Sequence, residues 1–379
     1  MKLELSDLLE AGKADAPPPR YSVEDAVAAG RKLQNRRRAA WTVAGATAAV
    51  VAVAAGVAVP QLVAERRPVT TPVAPAASPT TKKAIAPFEY PDAPFTGNIV
   101  GFKSGDLTVS GTVQVTPGYQ VAVIVAPGHG TPTVDDAGKT HQSPNDVGTV
   151  TVFRPGAFDP KDFKSGRPVN INGHAGWYQS SVTTSQYGQP SPAVAWPYAA
   201  NAWTVISTSD RGGLTQQQLT DIAAKLTSGP PQPARVGFKL SYVPKGFQLA
   251  AAGPSSTLMS PLTGESYVRL FKGNYPYKHM TGTIDEPNLS NSQLPMMALA
   301  VYPKWYGKYS PPAGQPKNAP YCASQSLCYR STDDGKYEFE LNGGGAVPDA
   351  ELIKMLNHLT FATDPADPST WYDATKAVG

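Results

Sequence analysis

Residues Ala39–Val59 form a run of 21 positions without a charge, built mostly of Ala and Val. No other stretch limits the possible architectures as strongly. At about 1.5 Å rise per residue, such a run spans ~30 Å as a helix, the thickness of a bilayer core. Backbone groups in lipid must be satisfied within their own segment, so a single helix is the natural form. Arg31, Lys32, Arg36, Arg37 and Arg38 precede the run, whereas the next basic residues after it are Arg66 and Arg67. That asymmetry predicts a cytoplasmic N-terminus and an extracytoplasmic C-terminus, in a single-pass protein of the cell membrane with the lipid bilayer as partner. A cleaved export signal is the competing reading. Its core would ordinarily be ~7–15 residues long, and this run follows a much longer leader.

Charge is distributed in keeping with that division. Residues 1–30 carry three basic and six acidic groups, and residues 31–38 carry five basic groups and no acidic one. From Phe95 onward there are 21 basic and 20 acidic residues, so the larger part is nearly neutral. A basic patch on the folded part, which nucleic-acid binding would need, is missing from this pattern. Cys322 and Cys328 are the two cysteines. An exported pair six positions apart is expected to form a disulfide.

The segment before the run divides at Pro17-Pro18-Pro19. Ser6 could cap a turn through Leu8 and Leu9, and Ser22 with Asp25 resembles a capping box. Leu5, Leu8 and Leu9 are the residues that could contact a cytoplasmic partner. After the run, residues 60–94 contain eight prolines among Thr, Ala and Ser. Such a segment stiffens toward polyproline II and reads as a spacer.

The acidic Leu-Leu segment, Ala16-Pro17-Pro18-Pro19, Val23-Glu24-Asp25-Ala26-Val27-Ala28-Ala29-Gly30 and the Arg run before an Ala/Val span together resemble a group of actinobacterial single-pass membrane proteins. Some of these are similar to anti-sigma factors. The resemblance implies a short cytoplasmic leader that grips a sigma factor and an exported sensor-like domain. The leader contains no His or Cys, so the resemblance does not extend to the zinc-type anti-sigma motif.

Residues 95–367 show internal self-similarity. Val100-Gly101-Phe102-Lys103 recurs as Val236-Gly237-Phe238-Lys239. Val115-Thr116-Pro117-Gly118-Tyr119-Gln120 is matched by Val243-Pro244-Lys245-Gly246-Phe247-Gln248. Ala202-Trp203-Thr204-Val205-Ile206 corresponds to Lys336-Tyr337-Glu338-Phe339-Glu340, and Leu219–Leu226 to Leu352–Leu359. Four matches in one order at a period near 133 residues predict two copies of one domain. In each copy strand-like runs precede an aromatic strand, Ala202–Ser207 or Lys336–Leu341, and a closing helix, Thr215–Leu226 or Pro348–Leu359. Glu338 and Glu340 alternate with Tyr337, Phe339 and Leu341, which assigns the two carboxylates to a solvent face. The expected fold is α+β: one transmembrane helix plus two tandem similar domains, each an antiparallel sheet with a C-terminal helix. The boundaries are 1–38 cytoplasmic tail, 39–59 transmembrane helix, 60–94 linker, 95–230 and 231–367 repeats, and 368–379 C-terminal tail.

Chemistry-bearing motifs are sparse. His129, Asp135, Asp136 and His141 form the densest polar group, but Gly, Pro and Thr between them read as a solvated loop rather than a metal site. The nucleophile, zinc-protease and phosphate-loop motifs are missing from the sequence, so the sequence points to no catalytic residue, cofactor or metal and argues against an enzyme. Lys304, Trp305, Tyr306, Lys308 and Tyr309 form an aromatic and basic cluster that, with Tyr275 and Tyr277, could stack on a sugar or hold an anionic wall polymer. The leading expectation is a non-enzymatic extracytoplasmic binding or sensor module, anti-sigma-like in its regulation. The alternative is a structural protein that binds an envelope polymer or glycan, and the third reading is an exported hydrolase.

Overall fold

Runs of β-branched and aromatic residues, alternating between two faces, carry most of the chain into antiparallel strands. The computed structural model describes residues 88–130, 132–134, 139–184, 190–209, 213–254, 264–275, 277–283, 295–306, 311–316, 318–345 and 347–379. All lie in the unit Thr80–Gly379. The first half opens with β1 (Thr96–Ile99), β2 (Phe102–Ser104), β3 (Leu107–Val109), β4 (Gln114–Val115) and β5 (Tyr119–His129). A small hairpin of β6 (Thr133–Val134) and β7 (Thr140–His141) follows, then β8 (Pro144–Phe153), β9 (Arg167–Ile171), β10 (His174–Val182), β11 (Ser191–Ala199) and β12 (Ala202–Thr208). Helix α1 (Gln216–Ala223) and β13 (Ser228–Pro233) close it. The second half contains β14 (Arg235–Val236), β15 (Phe238–Leu240), β16 (Phe247–Gly253), β17 (Ser266–Lys272), β18 (Met296–Pro303), β19 (Tyr321–Ser324), β20 (Leu327–Ser331) and β21 (Tyr337–Asn342). Then come α2 (Asp349–Asn357), β22 (Leu359–Phe361), a 3-10 turn at Pro368–Thr370, β23 (Tyr372–Asp373) and α3 (Ala374–Ala377).

Among the described residues fifteen strands join in one sheet, with the order β19-β20-β21-β18-β17-β16-β4-β5-β8-β12-β11-β10-β9 and with β3 and β2 branching from β5. Turn chemistry fixes several registers. Asn172 and Gly173, both at positive φ, link β9 to β10 in a two-residue loop. Such a turn favours these two residue types because they tolerate the left-handed region. Helix α1 starts with a reciprocal capping box between Thr215 and Gln218, which satisfies donors that the first turn cannot. Helix α2 has no side-chain cap at Pro348 and instead carries Asp349 and Glu351 in its first turn and Lys354 in its last. This matches the helix dipole at both ends.

Each helix lies on the same kind of surface. Leu219, Ile222 and Ala223 of α1 pack with Ala122, Ile124, Val150, Val152, Val194 and Ile206. Leu352, Met355 and Leu356 of α2 pack with Val268, Leu270, Met297, Leu299, Val301, Phe339 and Leu341. Burying each Leu or Ile contributes about 1.5–3 kcal/mol. The strand after each helix returns to the start of its half: β13 pairs with β1, and β22 with β15. Residues 368–379 are built into the second half as well. There, β23 pairs with β14, and Ala374 and Ala377 are fully buried.

The expected α+β architecture is corrected on three points. Among the described residues strand dominates, at 49% against 10% helix. Its halves are not two copies of one domain but parts of one sheet, joined where Ala252 of β16 pairs with Val115 of β4. Both halves contribute six strands to the central run that β4 completes. The first half builds them as a pair, β5-β8, followed by a meander of four, and the second as two meanders of three. Local signals are therefore similar while the strand partition differs. Two separate half-sheets would each expose an edge at this position, and pairing the edges removes both. Finally, among the described residues no helix is long and apolar enough to cross a membrane. The longest, α2, has nine residues, or about 14 Å. The single-pass membrane assignment and the cell-membrane localisation are thus unsupported. The 39–59 run and the leader with Leu5, Leu8 and Leu9 lie outside the described residues.

Candidate functional site

The second half turns an unusual surface away from its helices. Strand alternation sends Val268 and Leu270 to the α2 side, and therefore Tyr267, Arg269 and Phe271 to the opposite side. By register, Tyr267 stands beside Ala300 and Arg269 beside Ala298, on β18. Beyond them, Ala300 pairs with Glu340, and Tyr302 with Glu338, on β21. Glu340 in turn opposes Tyr329, and Glu338 opposes Ser331, on β20. Two alanines thus form a low floor between a Tyr/Arg wall and a Tyr/Glu wall.

This face is polar and still largely buried. Arg269, Tyr267, Tyr329 and Glu338 are all at most 2% exposed. Tyr302 donates its hydroxyl to Glu340 Oε2 at 2.8 Å. Lys304 Nζ pairs with Glu338 Oε2, to which Ser331 Oγ also donates at 3.5 Å. The Lys304 side chain is 29% exposed, so this ion pair links a buried carboxylate to the surface. Burial raises the Glu338 carboxyl above its ordinary value, and Lys304 opposes the shift. Burial, and then the Glu340 carboxylate beside it, push the Tyr302 phenol far above the usual tyrosine range. Both causes disfavour added negative charge.

An aromatic strip runs from this face to solvent. His141 of the β6–β7 hairpin stacks on Trp305 with centroids 3.8 Å apart and planes 5° from parallel. Tyr306 meets Trp305 edge-on at 5.9 Å and Tyr302 at 5.6 Å. Tyr306 is 37% exposed, one of three large hydrophobic side chains at that level among the described residues.

Of the sequence-derived site residues, Lys304, Trp305 and Tyr306 come together here, while Lys308 and Tyr309 lie outside the described residues. Tyr275 and Tyr277 do not join them. They pack with Phe271 against the apolar core on the first half's side. Cys322 and Cys328 form the expected disulfide. Asp349 lies close to the two sulfurs, but these are bonded to each other and Asp349 Oδ1 accepts from Ser326 N at 2.8 Å. His129 and His174 are exposed, and His358 Nδ1 contacts Lys354 O at 2.8 Å at the end of α2.

Two participants escaped the sequence reading. His141 was expected in a solvated loop, and its contact with Trp305 is 164 positions distant in sequence. Glu338 was expected to face solvent and is instead fully buried. A signal did exist in Met297-Ala298-Leu299-Ala300-Val301: large and small residues alternate strictly, so the face opposite the core has a floor without bulk. No known protein family matches this chain, and no curated protein matches it in sequence.

Proposed function

We propose that this chain is a non-enzymatic binding protein whose second half presents the Trp305–Tyr306 strip, with Lys304 beside it, to a hydroxyl-rich polymer, a cell-envelope glycan. The observation that carries this reading is the exposed Tyr306 ring, held edge-on by Trp305 and Tyr302 close along the chain to Lys304, which pairs with Glu338. A sugar offers an apolar ring face to an aromatic side chain and hydroxyls to carboxylates and ammonium groups. Rings already fixed by their neighbours lose little entropy on binding. The Cys322–Cys328 disulfide suits an oxidising compartment, where envelope polymers are met.

Co-sedimentation of the 379-residue chain with insoluble envelope polysaccharide tests the reading. Tyr306→Ala removes an exposed ring at little cost to folding and is expected to reduce retention by about tenfold, the ~1–2 kcal/mol of one stacked ring. Absence of retention by the unaltered protein, or equal retention by the variant, would sink the proposal.

A further inference from the structure

The seam between the halves holds a cavity of about 540 Å³ on the side that carries the helices. One wall is the β1–β13 ribbon, the floor is the β4–β16 junction, and Trp371 and Pro368 close the end. Its shape follows from the backbone. A Cβ added to Gly97 would meet Thr112 at 2.5 Å, one at Gly229 would meet Val100 at 2.6 Å, and one at Gly253 would meet the Val113 carbonyl at 2.1 Å. Chain segments approach closely at these three points and leave the space between them open. The ribbon itself is anchored by the Gln120 carboxamide, which is completely buried. It accepts from Asn98 N at 2.8 Å and Ile99 N at 3.3 Å and donates to Asn98 Oδ1 at 2.8 Å. Trp371 is held by its own indole N–H, which donates to Pro365 O at 3.0 Å. The cavity is thus pre-formed, as ligand sites usually are, and its volume suits a small molecule.

The lining selects the chemistry. Val100, Val113, Ala252, Pro254 and Trp371 make it largely apolar. Val100 is 42% exposed, so an apolar side chain stands unsheltered at the site. Among the described residues that line it, Arg235 is the only charged one. Its Nη1 donates to Ser369 O at 3.3 Å, and a guanidinium has further donors to offer. Asp373 lies opposite Arg235 in register, but its carboxylate accepts from Thr375 N at 2.9 Å and lies 4.0 Å from Lys376 Nζ. Among the described residues Asp373 and Arg235 form no salt bridge. A recess whose described lining is largely apolar and carries one cation, with Asp373 outside it, favours an amphipathic anion.

We infer that this cavity binds a small molecule with an apolar body and a single carboxylate, the body against Val100, Val113 and Trp371 and the carboxylate on Arg235. The inference is independent of the glycan reading, which concerns the opposite face of the sheet. Calorimetric titration of the intact chain with decanoate, below its micelle concentration, tests it. Methyl decanoate and decylammonium serve as neutral and cationic controls. The expected result is saturable one-to-one binding of decanoate, weaker binding of the ester and none of the ammonium. Arg235→Gln should weaken decanoate about tenfold while leaving the ester unchanged, as loss of a charge-assisted hydrogen bond predicts. Val100→Phe, at an exposed position, should block both ligands without lowering the melting temperature. Failure of the unaltered protein to bind decanoate would overturn the inference. So would equal binding of decylammonium, or unchanged affinity in Arg235→Gln. The preference among the three ligands is read on the unaltered protein, so it stands even where a variant fails to fold.

Discussion

The sheet face that points away from the helices is made differently in the two halves. Over the first half it is oily. Phe153 stacks on Phe158 at 4.5 Å, and Trp177 and Trp203 pack at 5.7 Å, around Tyr119, Val121, Ala193 and Val205. Over the second half the corresponding rows hold Tyr267, Arg269, Tyr302, Glu338, Glu340 and Tyr329. One continuous sheet thus has, on one side, a surface that folding alone explains and another that folding alone does not. Apolar burial stabilises wherever it occurs. Buried ionisable groups at best break even against hydrophobic replacements, and they need a partner to do so. The Trp305–Tyr306 strip, where recognition is proposed, leads from this second surface to solvent.

The contrast can be broken most forcefully at Phe153, which is 1% exposed. Phe153→Ala is expected to cost about 3–5 kcal/mol in urea unfolding, from lost transfer energy plus a cavity. A loss below about 1 kcal/mol would mean that the first half's face is not a packed core. A smaller effect, but one with a distinctive pH signature, is expected at Glu338. Burial raises its folded pKa above the ordinary 4.5. The protonated form is therefore favoured by folding. Its contribution is fully present below 4.5 and is lost as pH rises through the raised folded value. Glu338→Gln is neutral at every pH and should flatten the fall in melting temperature above pH 4.5, with a net change at pH 5 within about 1 kcal/mol. An unaltered slope would show that this carboxylate is solvated. The smallest change is expected at the border between the two surfaces. Gln114 is completely buried, and among the described residues neither of its carboxamide atoms has a hydrogen-bond partner. Gln114→Met keeps the volume and removes an unsatisfied amide, so stability should rise by about 1 kcal/mol. A loss in the same unfolding assay would place an ordered water at the amide.

Much of the local structure could be read from the sequence. Thr215 and Pro348 mark the starts of α1 and α2, Asn172-Gly173 marks a hairpin, and Tyr337–Asn342 has its alternation in plain view. Each signal is encoded within a few residues. The pairing of Val115 with Ala252 is not, because an edge strand looks the same whether water or another strand lies beside it. Nor does alternation reveal what covers a face. It placed Glu338 and Glu340 opposite the core, and it could not report that Tyr302, Lys304 and Ser331 would surround Glu338 and Glu340 there. The four matched segments were real similarities of order. They suggested a duplicated domain because period reports local succession, whereas the two-plus-four and three-plus-three strand partitions depend on contacts far apart in the chain.

Trp371 and Pro368 have a bearing on biosynthesis. Every other residue that lines the seam cavity precedes Pro254 or is Pro254 itself. More than a hundred residues must then emerge from the ribosome before the last wall arrives, and they include the whole of α2. For most of that interval Val236 and Phe238, later fully buried, have neither β22 nor β23 to pair with their strands. Nascent chains with unsealed apolar strands are the species that holding chaperones intercept. A ligand that fits the finished recess would act as a late stabiliser of newly made molecules and would raise their yield through mass action on the native state.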